Sequence, residues 1–329
     1  MMTLLLLQAI VPLLLIGWLI FAPPRSSVGF WIQAVATGIG ILAILFSGLW
    51  LFPPWWSPYA FGILLIASVI RGVVRRQSAG VWPGKLVHWL FAVGFTALGL
   101  FAANELRLAI TAKKIPKVAT LNLDSPFGPG TYLVANGGSG MAMNAPADAL
   151  DQSISAHKAY WGTSYAVDFV SIDRWGLRAG GVMPTDPRKY FVFGKSVIAP
   201  CEGKVITSVD GLPDMQVPLQ DEPHLAGNHI VLRCANADIL LAHFRSGSVV
   251  VQKGQKLTVG TPIAEVGNSG ASGEPHLHIH AQAPGTAEAP FSGAPIPILI
   301  NGRYLVRNDR FVAPANNDEH GLIKGKIQP

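Results

Sequence analysis

The stretch Gly267-Asn268-Ser269-Gly270-Ala271-Ser272-Gly273-Glu274-Pro275-His276-Leu277-His278-Ile279-His280 decides how the folded part of this chain reads. Its last five residues alternate imidazole with aliphatic side chains. In an extended strand, residues i, i+2 and i+4 share one face. His276, His278 and His280 therefore project together, and Leu277 and Ile279 turn into a core. A lone histidine is ordinarily a satisfied surface or core residue, whereas three on one strand face form a donor set. Imidazole is a preferred zinc ligand, and a catalytic zinc takes three protein ligands plus a water. Imidazoles that do not bind the metal can carry protons.

Around this strand, everything after residue 115 has a similar texture. Short runs rich in Val, Ile, Leu and Tyr alternate with Gly, Pro, Asn and Asp. They predict strands at Ser196–Ala199, Gly203–Val209, His229–Cys234, Ile239–His243, Ser248–Val251, Pro262–Val266 and His276–Ala281. No long 3.6-residue periodicity interrupts them, so the expected fold is an all-β domain of antiparallel sheets, as a sandwich or an open twisted sheet. Lys253-Gly254-Gln255 and Val259-Gly260 are turn signals. Residues 301–329 become polar, with Asn316-Asn317-Asp318-Glu319, and their last stretch is expected to be a loose tail. Two cysteines fall in this part, Cys201 at a strand start and Cys234 at a strand end. Their positions allow either a disulfide or two separate buried thiols. Without Cys-x-x-Cys spacing, they suggest neither a thiolate metal site nor a redox motif.

The front of the chain differs. Of 329 residues half are hydrophobic and 13% are charged, well under the roughly 25% charged of a soluble domain and far too apolar for a disordered chain. Residues 1–110 contain Arg25, Arg71, Arg75, Arg76, Lys85 and Arg107 against one acid, Glu105, and so hold nearly all of the net charge of +6. The basic balance is thus a property of the apolar third and does not point to nucleic acid. A bilayer core of about 30 Å needs roughly 20 apolar residues in helix. Met1–Phe21, Val28–Leu51 and Leu86–Asn104 each supply such a run. Trp55–Ile70 is apolar but shorter, with Pro58 near its start, and reads as a tilted span, a re-entrant piece or an interfacial helix. Met1–Phe21 has neither a basic leader nor an A-x-A site, which favours a retained anchor over a cleaved signal. His88, beside Trp89, belongs at an interface. The basic loop Arg71–Lys85 should face the cytoplasm, so that Leu86–Asn104 leads outward and all that follows is extracytoplasmic. No acid lies in residues 1–104, so the marks of an ion or substrate path are missing and the helices are expected to anchor.

The quoted stretch closely resembles the signature of the lysostaphin/LytM-type zinc endopeptidases, enzymes that cleave peptide bonds in the stems and cross-bridges of bacterial peptidoglycan. The resemblance extends over roughly residues 157–282. It takes in Val197-Ile198-Ala199-Pro200, Glu202-Gly203-Lys204-Val205, Gly227-Asn228-His229-Ile230-Val231, Leu241-Ala242-His243-Phe244, Lys253-Gly254 and Val259-Gly260-Thr261-Pro262-Ile263, in the family's order. It implies a LytM-like β domain over residues 151–284. Around it lie a transmembrane region at 1–110, a linker and β extension at 111–150, and a C-terminal extension at 285–329. It also implies zinc as cofactor, peptidoglycan as the partner, and a place at the bacterial cytoplasmic membrane with the catalytic domain outside.

Residue by residue, the resemblance makes His278 a metal ligand and His276 a general base. His243 orients the water and stabilises the oxyanion, and Asp168, in Tyr165-Ala166-Val167-Asp168, is the carboxylate ligand of an H-x-x-x-D motif. One position departs: Ser164 stands where that motif has its first histidine. A hydroxyl is a poor zinc ligand. His157, eleven residues before Asp168, is the expected replacement, as in a branch of the family with Tyr-Ala-x-Asp and an upstream Asn-Gly-Gly-Ser, here Asn136–Ser139. His280 or His229 is the alternative. The competing function is that of degenerate family members, non-catalytic envelope modules that regulate a cell-wall hydrolase.

Overall fold

Four apolar runs fold as helices in the computed structural model, which describes residues 6–75, 80–286, 289–313 and 327–328. The chain divides into two units, Met1–Thr111 and Ala112–Pro329. In the first, a π-helical turn at Leu6–Ile10 leads into α1 (Val11–Phe21). Then follow α2 (Ser27–Ser47), α3 (Ser57–Val74) and α4 (Leu86–Ala112), each long and apolar enough to cross a membrane. Pro58 does not interrupt α3. It occupies the helix's first turn, where a missing N–H costs nothing and φ is already helical. The segment therefore reaches 18 residues. Ser26 starts α2 by accepting from the Gly29 N–H at 3.1 Å, an N-cap. The helix of Leu86–Asn104 runs on to Ala112, because Glu105, Leu106 and Arg107 are good helix formers. Arg76 of the basic loop and Met1–Leu5 of the first run lie outside the described residues.

The second unit is built on one large antiparallel sheet. Its strands are β2 (Gly130–Asn136), β3 (Val167–Ser171), β5 (Gly203–Val209), β6 (Asn228–Cys234), β7 (Ala237–Phe244), β8 (Lys256–Leu257), β10 (Leu277–Gln282) and β13 (Arg310–Ala313). They lie in the order β13-β2-β3-β10-β7-β6-β5-β8, and β11 (Pro295–Ile296) pairs with β10. A two-stranded sheet joins β4 (Ser196–Ile198) to β9 (Pro262–Glu265), and β1 (Thr120–Leu123) pairs in parallel with β12 (Ile298–Ile300). Val167, Phe169, Leu241, Leu277 and Ile279 send their side chains to one face of the large sheet. There they meet Val197 and Ile263 of the small sheet in one buried cluster. Leu277 and Ile279 are wholly buried, as the alternation in the quoted stretch requires.

One expected strand is not formed, one later segment is ordered, and the cysteine alternative is decided. Ser248–Val251 is not a strand. It is held by single bonds, Val250 N–H to Ile263 O and Ser208 Oγ–H to Val251 O. Part of the polar C-terminal region, Arg310–Ala313, is an ordered strand beside β2 because Phe311 and Ala313 are buried there. Asn316–Glu319 lies outside the described residues. Cys201 and Cys234 are bonded to each other, with a Cα–Cα distance of 6.2 Å.

Candidate active site

On the face of the large sheet opposite the main core, sheet register alone assembles a row of polar side chains. Asp168 on β3 pairs with His278 on β10 and, on its other side, with Asn136 on β2. His278 pairs in turn with Ala242 on β7. Cross-strand partners are the closest neighbours a sheet provides, and they bring together residues 110 and 32 positions apart in the chain.

His243 enters this row through a bulge. Asn228 pairs with Phe244 and His229 with Ala242, so His243 is the extra residue of β7. Its φ is 66°, a left-handed conformation uncommon for a bulky side chain and tied to function where it occurs. Bulges re-aim side chains, and this one turns the imidazole toward β10, with ring centroids 4.7 Å from His276 and 5.8 Å from His278.

His243, His276 and His278 each offer a ring nitrogen within 4.8 Å of the others. Asp168 Oδ1 lies 2.8 Å from His278 Nδ1 and 3.9 Å from His276 Nε2. The remaining nitrogens are committed. His276 Nδ1 is 2.8 Å from Glu274 O and His243 Nδ1 is 2.9 Å from Ser269 O. Carbonyls only accept, so both of these imidazoles carry a proton on Nδ1, which leaves Nε2 of each as the nitrogen not held this way. His278 Nε2 is 2.9 Å from His280 Nδ1.

Electrostatics match this geometry. Burial by itself would raise the Asp168 carboxyl, but His276, His278 and the amide of Asn136 outweigh it and hold the group far below the usual carboxylate range. Burial, reinforced by the positive potential of His276 and His278, lowers His243 well below an ordinary imidazole. Burial and then His278 do the same to His280. Both are neutral at pH 7.

These residues fit a zinc ion. Asp168 Oδ1 and His278 Nδ1 converge closely enough to share a proton, and two donors that share a proton can share a cation instead. Neutral His280 can accept from His278 Nε2–H, which leaves His278 Nδ1 a free lone pair. A ligand histidine ordinarily has such a partner behind it.

His157 is not among the gathered donors. It lies in a 3-10 segment, Ser155–Tyr165, half-buried, with Nδ1 3.0 Å from Asp151 O. Ser164 is fully buried and its hydroxyl donates to Trp161 O at 2.6 Å. His229 Nδ1 is 2.7 Å from Gly227 O. Three contributors escaped sequence reasoning. Ser272 Oγ lies 3.2 Å from His276 Nδ1 and donates to the Glu274 carbonyl that holds this ring. Arg178 grips the Glu274 side chain through two nitrogens, each 2.8 Å from an oxygen. Arg307 backs Asn136. Ser272 stands inside the quoted signature and was within reach, but nothing local marks the two arginines.

The profile of Peptidase family M23 matches residues 191–290, which include His243, His276, His278 and His280 but not Asp168. Similar solved structures include the catalytic domain of lysostaphin from Staphylococcus simulans, at 20% identity and TM-score 0.25, covering 38% of this chain and 71% of that one. Another is the catalytic domain of the prophage-encoded M23 protein EnpA from Enterococcus faecalis, at 15% identity and TM-score 0.25, covering 54% and 89%. A third is a zinc-containing peptidase from Vibrio cholerae, at 19% identity and TM-score 0.22, covering 43% and 48%. The chain spans only 37–40% of lysostaphin in the longer structures of that protein. At such identities and scores these likenesses carry no functional information. No curated protein matches the sequence. Residues 191–290 thus match Peptidase family M23 within an antiparallel β unit, and the helices that precede this unit in the chain are long and apolar enough to cross a membrane.

Proposed function

We propose that this chain is a membrane-anchored zinc metalloendopeptidase that hydrolyses peptide bonds in bacterial peptidoglycan outside the cytoplasmic membrane. The observation that carries it is the cross-strand row: Asp168 facing His278, with His243 and His276 turned to the same point. Asp168 and His278 would hold the metal, with His157 as the third ligand in place of its bond to the Asp151 carbonyl. Zinc supplies a Lewis acid for the scissile carbonyl and acidifies water. His276, its Nδ1–H committed to Glu274 O, uses Nε2 as the base that takes a proton from the attacking water and returns it to the leaving amine. Neutral His243, its Nδ1–H committed to Ser269 O, accepts a hydrogen bond from that water through Nε2 and so orients it. Leu277 and Ile279 lock the strand that carries the imidazoles.

The competing reading, a non-catalytic envelope module, is favoured by Ser164 in the first ligand position. Metal analysis of the purified chain separates the two. The peptidase binds about one zinc per chain and loses it in His278→Ala and Asp168→Ala, whereas the module binds none after reconstitution. His157→Ala weakens zinc binding and Ser164→Ala does not. Unchanged affinity in His157→Ala rules that ligand out.

A further inference from the structure

Asp168 has two oxygens, and only one of them faces the histidines. Oδ2 accepts from Asn136 Nδ2 at 2.8 Å, while Oδ1 looks to His278 and His276. An asparagine amide can point either end at a neighbour, so something must fix which end Asp168 receives. Arg307 does so. Its Nη2 donates to Asn136 Oδ1 at 2.9 Å, and a guanidinium can only donate. The amide oxygen must face Arg307, which leaves the Nδ2 hydrogens for Asp168. The arginine is itself fixed, with Nε donating to Ala135 O at 3.1 Å and Nη1 to Ala142 O at 3.3 Å. Ala135 is the bulged residue between Val134 and Asn136 in the pairing of β2 with β3. One guanidinium thus satisfies a bulge carbonyl and orients the side chain next to it. The segment bearing Arg307 is tied to β2 by Asn308 N–H to Val134 O, and to the residue that follows β2 by Arg307 N–H to Gly137 O.

We infer that Arg307 and Asn136, both outside the M23 match, are positioning residues that present Asp168 to the metal through one oxygen only. This rests on the zinc reading above. It makes the chain before and after residues 191–290 part of the working site and gives Asn-Gly-Gly-Ser a role: the asparagine orients Asp168, and Gly138, at φ 116°, permits the turn behind it.

The test is zinc affinity of the full chain in detergent, by competition with a chromogenic chelator, alongside thermal unfolding of the metal-free protein. Outer partners of metal ligands typically govern about 10–100-fold in affinity, and Asn136→Ala and Arg307→Met should each lose an amount in that range. Because Arg307 acts through Asn136, the double change should lose little more than Asn136→Ala alone. Arg307→Lys keeps the charge without the fork and should lose nearly as much as Arg307→Met. It replaces Arg307→Met in the cycle if that variant does not fold. Additive losses, or wild-type affinity in Arg307→Lys, overturn the inference. Wild-type protein that binds zinc while Asn136→Ala binds it equally well overturns the inference alone, and wild-type protein that binds no zinc overturns the zinc reading as well.

Discussion

Removing the Glu274 carboxylate should cost the β-sheet unit a measurable share of its stability without touching a metal ligand. Arg178 is 3% exposed at its side chain and meets Glu274, itself 23% exposed, in a two-nitrogen, two-oxygen grip. The Tyr190 ring lies 5.6 Å beneath the guanidinium. Taking one partner from a buried pair typically costs about 3–5 kcal/mol, because the other charge is left in a poor solvent. Glu274 retains some contact with water and the ring remains, so the lower end, about 3 kcal/mol, applies to Glu274→Ala. For a unit of this size about 1 kcal/mol moves the melting temperature by roughly 2–4 °C, giving a fall of about 6–12 °C. Replacing both residues by methionine should recover most of it, since apolar isosteres of buried pairs are often neutral. The assay is thermal unfolding in detergent with the metal removed, followed by zinc titration, in which Glu274→Ala should bind normally. Its turnover should fall, because the same residue's carbonyl holds His276 Nδ1. A shift under about 2 °C, or a double variant no better than the single, would refute the reasoning.

Other outcomes follow from the same geometry. In the metal-free protein, His243 and His280 stay neutral in the fold below the ordinary imidazole pKa of about 6.5, so the unfolded chain binds protons the native state does not. Stability should therefore fall as pH drops below about 6.5, by up to about 1.4 kcal/mol per unit for each group. Asp168, whose pKa is lowered, contributes stability that is lost only at much lower pH. Urea unfolding at pH 7.5 and pH 5 checks the sign, and His280→Gln should make the slope shallower. His276→Ala and His243→Ala should keep zinc and lose turnover, by about 10²-fold or more for the base, whereas His278→Ala should lose the zinc itself. A basic Arg71–Lys85 segment is expected on the cytoplasmic side, so an export-dependent reporter fused after Ile115 should be active and a cytoplasm-dependent one silent.

Most strands between Ser196 and Gln282, Lys256–Leu257 excepted, were legible as short runs of β-branched and aliphatic residues between turn signals, and the three imidazoles of one strand announced a site before any pairing was known. The strands flanking Asp168 and the C-terminal extension were harder. Arg310–Ala313 is only four residues long, and its burial, like that of the seven-residue Gly130–Asn136, depends on partners far away in sequence. Ser248–Val251 shows the converse, since β-branched residues there satisfy a local propensity that the sheet does not use. His243 was legible as a residue but not as a bulge, which exists only in the register between two strands. Arg307 and Arg178 were invisible for the same reason: each acts on a residue roughly a hundred or more positions away.

The most direct test of the central claim is mass spectrometry of purified peptidoglycan after incubation with the zinc-loaded full-length chain. The account predicts fragments with new amine and carboxyl termini at a peptide bond of the stem or cross-bridge. They should be absent after chelation, restored by zinc, and absent with His278→Ala. Intact peptidoglycan despite stoichiometric zinc, or the same fragments from His278→Ala, would contradict it.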